Sequence, residues 1–431
     1  MPYATAPPKL QHPQTIPRRE KNLAPPRNSV VVSALEHTEP TSEERERVSM
    51  KHQRNSGPGS VLTDRAPPRI AVVGAGIAGL SCARQLRLRG YEAVVFEASD
   101  RLGGRCSSRS TRIGVFDDGA QCVSGATRLA SFAQQRPGEL AALHSWTVPT
   151  TPAEDERSSK DWHANEDEAD VTRTLKLMGA VGVPSMRALA NAVARPLDVR
   201  LHTPIEQAQR RGAHWILRGA AGEIDEDFQA LVLAIPAPLA LPLAHESSGL
   251  SAALRAVRYR SRWVLLLGSE RPVGLPGYRE FHGSPIERIA AMHSKPGRAA
   301  NAPQRWFVEA DERWSSQHEH DDAETVADLL LDIFRAHAGR SVTPNYLCAH
   351  QWRNAFVETP ATLPRHPECL WDAQARLGVC GDSAVPSQVD RVHASGVALA
   401  RAMADTVSSL REHNAVAALD RDHSKQLEAQ V

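Results

Sequence analysis

Arg69-Ile-Ala-Val-Val-Gly-Ala-Gly-Ile-Ala-Gly-Leu80 is the stretch that decides the fold. Arg69-Ile-Ala-Val-Val73 is a short β-branched run and reads as a buried strand. Gly74, Ala75, Gly76, Ile77, Ala78 and Gly79 follow at once, and the spacing of Ile77, Leu80, Ala83 and Leu86 predicts a helix over 77–88. Gly90 suits the stop of that helix. A second apolar strand is predicted over 91–97, completing a βαβ unit. Gly74 lets the strand turn sharply, Gly76 lets a pyrophosphate approach the backbone, and Gly79 lets helix and sheet pack closely. The helix N-terminus then offers free N–H groups and partial positive charge to phosphates. Glu97 ends the second strand, where a carboxylate can bind ribose hydroxyls. The order of strand, glycines, helix, strand and acid is a dinucleotide-binding fingerprint. It does not by itself separate NAD from FAD.

Outward from this unit, the chain has 431 residues, enough for two domains, and 41% hydrophobic residues to fill their cores. The 51 basic and 50 acidic residues leave a net charge of +1, which asks for neither nucleic acid nor an acidic membrane as partner. Six cysteines show no C-x-x-C pair and no zinc spacing, so reduced thiols in the cytoplasm are expected. Residues 1–67 are rich in proline and in charge runs such as Glu43-Glu44-Arg45-Glu46-Arg47, and are expected to be disordered. They hold no apolar stretch of secretory type, and their acidic residues argue against a transit peptide. No part of the chain approaches the roughly 20 apolar residues needed to span a bilayer.

Glu97-Ala98-Ser-Asp-Arg101-Leu-Gly-Gly104-Arg105 resembles the second signature of the flavin amine oxidase superfamily, which makes FAD, held non-covalently, the implied cofactor. Arg101 and Arg105 supply cations there, for phosphate or beside the flavin. Phe116-Asp-Asp-Gly-Ala-Gln121 resembles the segment of the same superfamily that passes the flavin, which points to Gln121. Leu377-Gly-Val-Cys-Gly381-Asp382 reads as a strand ending where ligands bind in open α/β sheets. The run from Val389 to Ala400 is similar to the superfamily's closing helix, predicted here to continue to about residue 410, with Val392 near the cofactor. Arg391-Val392 departs from the family's small Gly-Ala pair; Arg391 either adds positive charge near the flavin or crowds it. Ile205 is placed with the cofactor-binding residues as well.

From about residue 69 to 410 the chain resembles the renalase group of that superfamily. The landmarks are Gly182-Val-Pro-Ser-Met186 opening a helix, Ala234-Ile-Pro-Ala-Pro238 ending a strand, Ser294-Lys-Pro-Gly-Arg298 as a turn, and Ala349-His-Gln-Trp-Arg-Asn-Ala355 as a strand. The resemblance implies an α/β Rossmann-type FAD-binding domain with a parallel sheet, and a discontinuous α+β substrate domain. Residues 68–128, 182–240 and 345–412 would form the first, residues 129–181 and 241–344 the second, and 413–431 a polar tail. It implies oxidation of 2- or 6-dihydro isomers of NAD(P)H, with hydride passing to FAD and then to dioxygen. Lys295 and Arg298 would bind substrate phosphate, or else sit in a solvated turn; His350 and Trp352 would line the substrate face, or else Trp352 is a core residue. His393 is read as touching the cofactor, capping a helix or lying exposed. His318-Glu-His320-Asp-Asp322 has the wrong spacing for one helix face, so no metal is expected; instead Asp321 or Asp322 is expected to cap a helix over 323–336, whose apolar stripe is Val326, Leu329, Leu330, Ile333 and Phe334. The competing functions are an oxidase of amines or polyamines, and an FAD-binding scaffold without turnover.

Overall fold

The computed structural model describes residues 67–123, 143–150, 174–299, 303–362 and 366–406, all within one compact unit that begins at Ala66. The expected disordered arm and polar tail, at residues 1–67 and 413–431, lie outside the described residues but for Pro67.

Arg69–Val73 is an inner strand of a six-stranded sheet. It runs parallel to Glu92–Phe96 on one side and to Ala230–Leu233 on the other. Asp198–Arg200 closes one edge, while Leu377–Val379 and an antiparallel Leu370–Asp372 close the other. The β-branched run is apolar at successive positions because both faces are covered. Ile70, Val72, Val95 and Val232 enter one core cluster, and Ala71, Val73, Val94, Phe96, Leu231 and Leu233 enter a second on the opposite face. The helix Ile77–Leu88 follows the first strand as predicted and ends at Gly90, whose φ of +83° only glycine adopts at little cost. Helix 389–406 returns across it: a Cβ on Gly396 would lie 2.2 Å from the Ala78 carbonyl oxygen.

The second large sheet is antiparallel, in the order Tyr278–Glu280, Ile286–Ala291, Gln304–Ala310, Arg258–Ser269, Pro344–Thr359. The helix Ala323–Ala338 covers one face, burying Val326, Leu330 and Phe334 against Leu265, Leu267, Trp306 and Val308. Leu329, expected in that apolar stripe, is 39% exposed, so the stripe is narrower than its sequence suggests. Asp322 caps this helix, accepting from the N–H groups of Glu324 and Thr325. On the other face, Val264, Leu266 and Phe307 join the first cluster together with Phe116 and Met292. That face is the floor of the candidate site.

One boundary differs from the sequence reading. Residues 345–359 were expected in the nucleotide-binding domain, but Pro344–Thr359 pairs with Arg258–Ser269 over nearly its whole length and belongs to the antiparallel sheet. The long antiparallel register outweighs any tie this strand has to the parallel sheet, which the chain rejoins with Leu370–Asp372. Ile205 lies on Ile205–Arg211, an outer strand of a separate three-stranded sheet, packed against the second core cluster.

Candidate functional site

The glycine turn is built by close contacts. Gly74 has a φ of +105°, and a Cβ there would meet the Ala234 carbonyl oxygen at 2.6 Å. A Cβ on Gly79 would meet the Gly74 carbonyl oxygen at 2.1 Å. At Gly76 the opposite holds: nothing lies within 4 Å of the position a Cβ would take. Gly76 also caps the helix with no side-chain partner, so open space meets the first, unpaired N–H groups of a helix. Glu97 bends back onto this turn. Its Oε2 accepts from the Ala75 N–H at 2.8 Å, and its Oε1 from the N–H and hydroxyl of Ser99 at 3.0 and 2.7 Å. Ala98, in contrast, is exposed.

The second signature packs onto the first. The Gly103 N–H donates to the Ala75 carbonyl at 2.9 Å, and Gly103 and Gly104 both have positive φ. Arg105 is directed to protein partners rather than left open for a phosphate: its guanidinium donates to the Asp382 carboxylate and to the Asn354 carbonyl at 2.9 Å. Burial works against the charge on Arg105, yet Asp382 holds it above its ordinary range. Asp382 is itself 2% exposed and also accepts from the hydroxyls of Ser387 and Tyr259 at 2.8 and 3.1 Å. Burial, with Asp382 close by, pushes the Tyr259 phenol up to about 12. Arg101 is partly exposed and pairs with Asp100.

The closing helix seals this end. The Gly381 N–H donates to the Ser395 hydroxyl at 2.9 Å. Arg391 lies one turn earlier on the same helix face, with Nε buried and without a hydrogen-bond partner among the described residues. Val392 is half-buried against the first core cluster. His393 is neither a cap nor exposed: Nδ1 lies 2.7 Å from the Ser81 hydroxyl, and burial, with Arg84 nearby, pushes the imidazole down to about 4. It joins helix to helix.

Gln121 and the residues predicted for the substrate side meet in a buried polar cluster. Gln121 donates to the carbonyls of Asp117 and Gly119 and accepts from Lys295 Nζ at 2.8 Å. Lys295 Nζ also lies 3.1 Å from Asp117 Oδ2, and Arg298 Nη2 lies 2.5 Å from the same oxygen. The solvated-turn alternative fails, since the Lys295 side chain is 0% and that of Arg298 3% exposed. Burial pushes the Lys295 ammonium down, with Arg298 adding and Asp117 opposing. Asp117 stays below the ordinary carboxylate range: burial would raise it, but Lys295 and Arg298 outweigh that. The same face of Pro344–Thr359 presents Tyr346, Cys348, His350 and Trp352 to the segment after Arg109. Tyr346 stacks on Phe116, Trp352 donates to the Asp118 carbonyl at 2.8 Å, and His350 packs edge-on against Trp352. Burial, then Arg109, lowers the His350 imidazole. Asp117, Tyr259 and Met186, whose N–H donates to Asp117 Oδ1 at 2.8 Å, were not given site roles in the sequence. Asp117 and Met186 had a signal, their places inside the quoted Phe116–Gln121 and Gly182–Met186 segments; Tyr259 had none.

These residues fit a dinucleotide. An open helix N-terminus suits a pyrophosphate, a neighbouring carboxylate suits a ribose, and the Nε of Arg391 lies buried without a partner among the described residues at the closing helix. The sequence profile of the NAD(P)-binding Rossmann-like domain matches residues 72–135. Over 133 residues, 30% of this chain, the sequence is 35% identical to a Mycobacterium tuberculosis protein provisionally named flavin-containing monoamine oxidase AofH, covering 27% of it. Over 58 residues, 14% of this chain, it is 47% identical to the lysine-specific histone demethylase 1B homolog of Caenorhabditis elegans, covering 7% of that protein. The chain therefore spans about a quarter or less of the length of these curated relatives. Among solved structures, cyclohexylamine oxidase from Brevibacterium oxydans matches with a TM-score of 0.55 at 12% identity, covering 80% of this chain and 100% of that one. Putrescine oxidase bound to putrescine matches with a TM-score of 0.55 at 14% identity, covering 79% and 99%. The fold is that of the flavin amine oxidases: a Rossmann-type domain on a parallel sheet, joined to a largely antiparallel second domain.

Proposed function

We propose that this chain is an FAD-dependent oxidoreductase that oxidises 2- or 6-dihydro isomers of NAD(P)H to NAD(P)+, with dioxygen reduced to hydrogen peroxide. The Gly74–Gly79 turn and Glu97 would hold the ADP half of FAD, non-covalently. The Gly103–Arg105 pass, Gln121 and the Gly381–Val392 segment would hold the flavin half. Bound there, FAD supplies a hydride acceptor. The protein's part is to bind, orient and exclude water.

One observation carries the substrate reading: the polar wall has no carboxylate to spare. Lys295, Arg298, Arg109 and His350 surround the Phe116–Gln121 segment, and both carboxylates there are already paired, Asp117 with Lys295 and Arg298, Asp118 with Arg109. A wall of hydrogen-bond donors without a free carboxylate suits an anionic dinucleotide. It offers an alkylammonium no unpaired carboxylate among the described residues. Dihydronicotinamide gives hydride from carbon and becomes an aromatic cation, so no protein base is required. A second reading, oxidation of an amine, is favoured by Tyr346 and Trp352 on one strand face, which suit the aromatic surround an amine needs.

Anaerobic mixing tests both. The purified, flavin-loaded protein is mixed with 6-dihydro-NAD, with ordinary NADH and with a panel of amines, and flavin absorbance is followed. Rapid bleaching by the isomer alone is expected. Bleaching by amines alone would overturn the proposal in favour of the second reading. Bound flavin that nothing bleaches would point to a scaffold.

A further inference from the structure

Lys295 and Arg298 both reach a single oxygen, Oδ2 of Asp117, and all three side chains are at most 3% exposed. The other oxygen, Oδ1, is taken by the Met186 N–H at 2.8 Å and the Ser108 hydroxyl at 2.9 Å. One carboxylate thus answers to two basic side chains that are buried from bulk solvent. With the lysine protonated, the trio would carry one uncompensated positive charge, which is costly to bury. The other groups facing Lys295 do not cancel it. Gln121 is neutral, and Trp146 offers its ring face at 5.1 Å. Burial pushes the Cys122 thiol up and the Cys106 thiol up to about 12, so neither is a thiolate near neutrality. Arg305, within reach of Arg298 and Asp117, adds positive charge. A neutral amine has two N–H donors, and Lys295 makes two hydrogen bonds, to Asp117 and Gln121, which leaves its lone pair. The cluster also connects to the glycine turn. The Ala120 N–H donates to the Arg105 carbonyl at 2.8 Å, and the Gly103 N–H to the Ala75 carbonyl at 2.9 Å.

We propose that Lys295, sharing the one carboxylate of Asp117 with Arg298, is a proton acceptor matched to negative charge arriving at the cofactor: it takes one solvent proton when a hydride enters the site and returns it when dioxygen carries the hydride away. The balance closes, because hydride, proton and dioxygen together make hydrogen peroxide and the amine ends neutral, as it began. Gln121 and Asp117 hold the amine in place throughout. This inference rests on the glycine turn being a flavin site.

The test counts protons. The flavin content of the purified wild type is read first from its visible spectrum, and a protein that takes up no flavin overturns both readings. Loaded wild type, Lys295→Met and Lys295→Arg are then photoreduced anaerobically in weakly buffered indicator dye across the neutral range. Wild type is expected to take up one more proton per flavin than either variant, because methionine does not titrate and arginine stays charged. The reduction potential separates charge from proton transfer. Lys295→Arg should be reduced as easily as wild type, and Lys295→Met less easily. Equal proton uptake by all three proteins overturns the inference and leaves the flavin reading standing. If Lys295→Met fails to fold, Lys295→Arg makes the same proton comparison.

Discussion

Glu97 joins two parts of the glycine turn, and its removal has two separable effects. Glu97→Ala leaves the Ala75 N–H buried without a partner, a loss of about 1–3 kcal/mol. It also removes the carboxylate proposed to bind the ribose. Expected outcomes are a lower denaturation midpoint and poorer flavin retention through gel filtration; unchanged retention would refute the ribose role. The Asp117 cluster predicts a pH dependence. Asp117 titrates below its ordinary 3.8, so its contribution is complete above that value and is lost as the pH falls through the depressed one. Lys295 is depressed from 10.5. Between its lowered value and 10.5 the unfolded chain binds a proton that the folded chain does not, so this group makes stability rise with pH. Melting temperatures of Lys295→Met over a pH series should lack that rise. Asp117→Asn leaves the buried Arg298 guanidinium without its carboxylate and should cost about 3–5 kcal/mol, measured by denaturant titration. At this scale the sequence was a partial guide. Gln121, Lys295 and Arg298 were visible as motif members, and the structure brings all three together. Their common anchor, Asp117, was given no role, because a carboxylate shared by two basic side chains 178 and 181 residues away leaves no local pattern.

Among the elements, the βαβ unit was the most legible, because strand, glycines, helix and acid are neighbours in sequence and each has a local reason. The helix bounds 77–88 follow from periodicity, and an aspartate cap at 321 or 322 from capping chemistry, of which the structure uses Asp322. Leu329 misled because an apolar residue on a helix flank reads the same whether or not the sheet reaches it. The crossing of helix 389–406 over the first helix was not legible, although it decides how the site closes. Gly396 admits that crossing. Gly396→Ala would place a Cβ 2.2 Å from the Ala78 carbonyl oxygen and 3.0 Å from the Cys82 nitrogen, so the helices must part. The expected cost is about 1–3 kcal/mol, read as a fall in melting temperature, together with weaker flavin retention. A melting temperature equal to wild type would show that the crossing yields without strain.

Over the whole molecule, the two sheets are joined through Asp382, at the end of a parallel strand, and Tyr259, near the start of an antiparallel one. Tyr259→Phe removes a hydrogen bond to a charged acceptor and should cost about 1.5–3 kcal/mol in a thermal melt. The expected fold class was correct: the βαβ unit gives its Rossmann-type half, and the second domain followed from the resemblance to the flavin amine oxidases. The division at residue 345 failed, since Pro344–Thr359 is assigned by partners far off in the chain. The Gly381–Ser395 hydrogen bond has a further consequence in time. The glycine turn is made some three hundred residues before Gly381, Asp382 and Ser395, which close on it. A nascent chain therefore displays an unfinished cradle over that whole interval. Capture of a cofactor there waits until the helix that carries Ser395 has left the ribosome and docked.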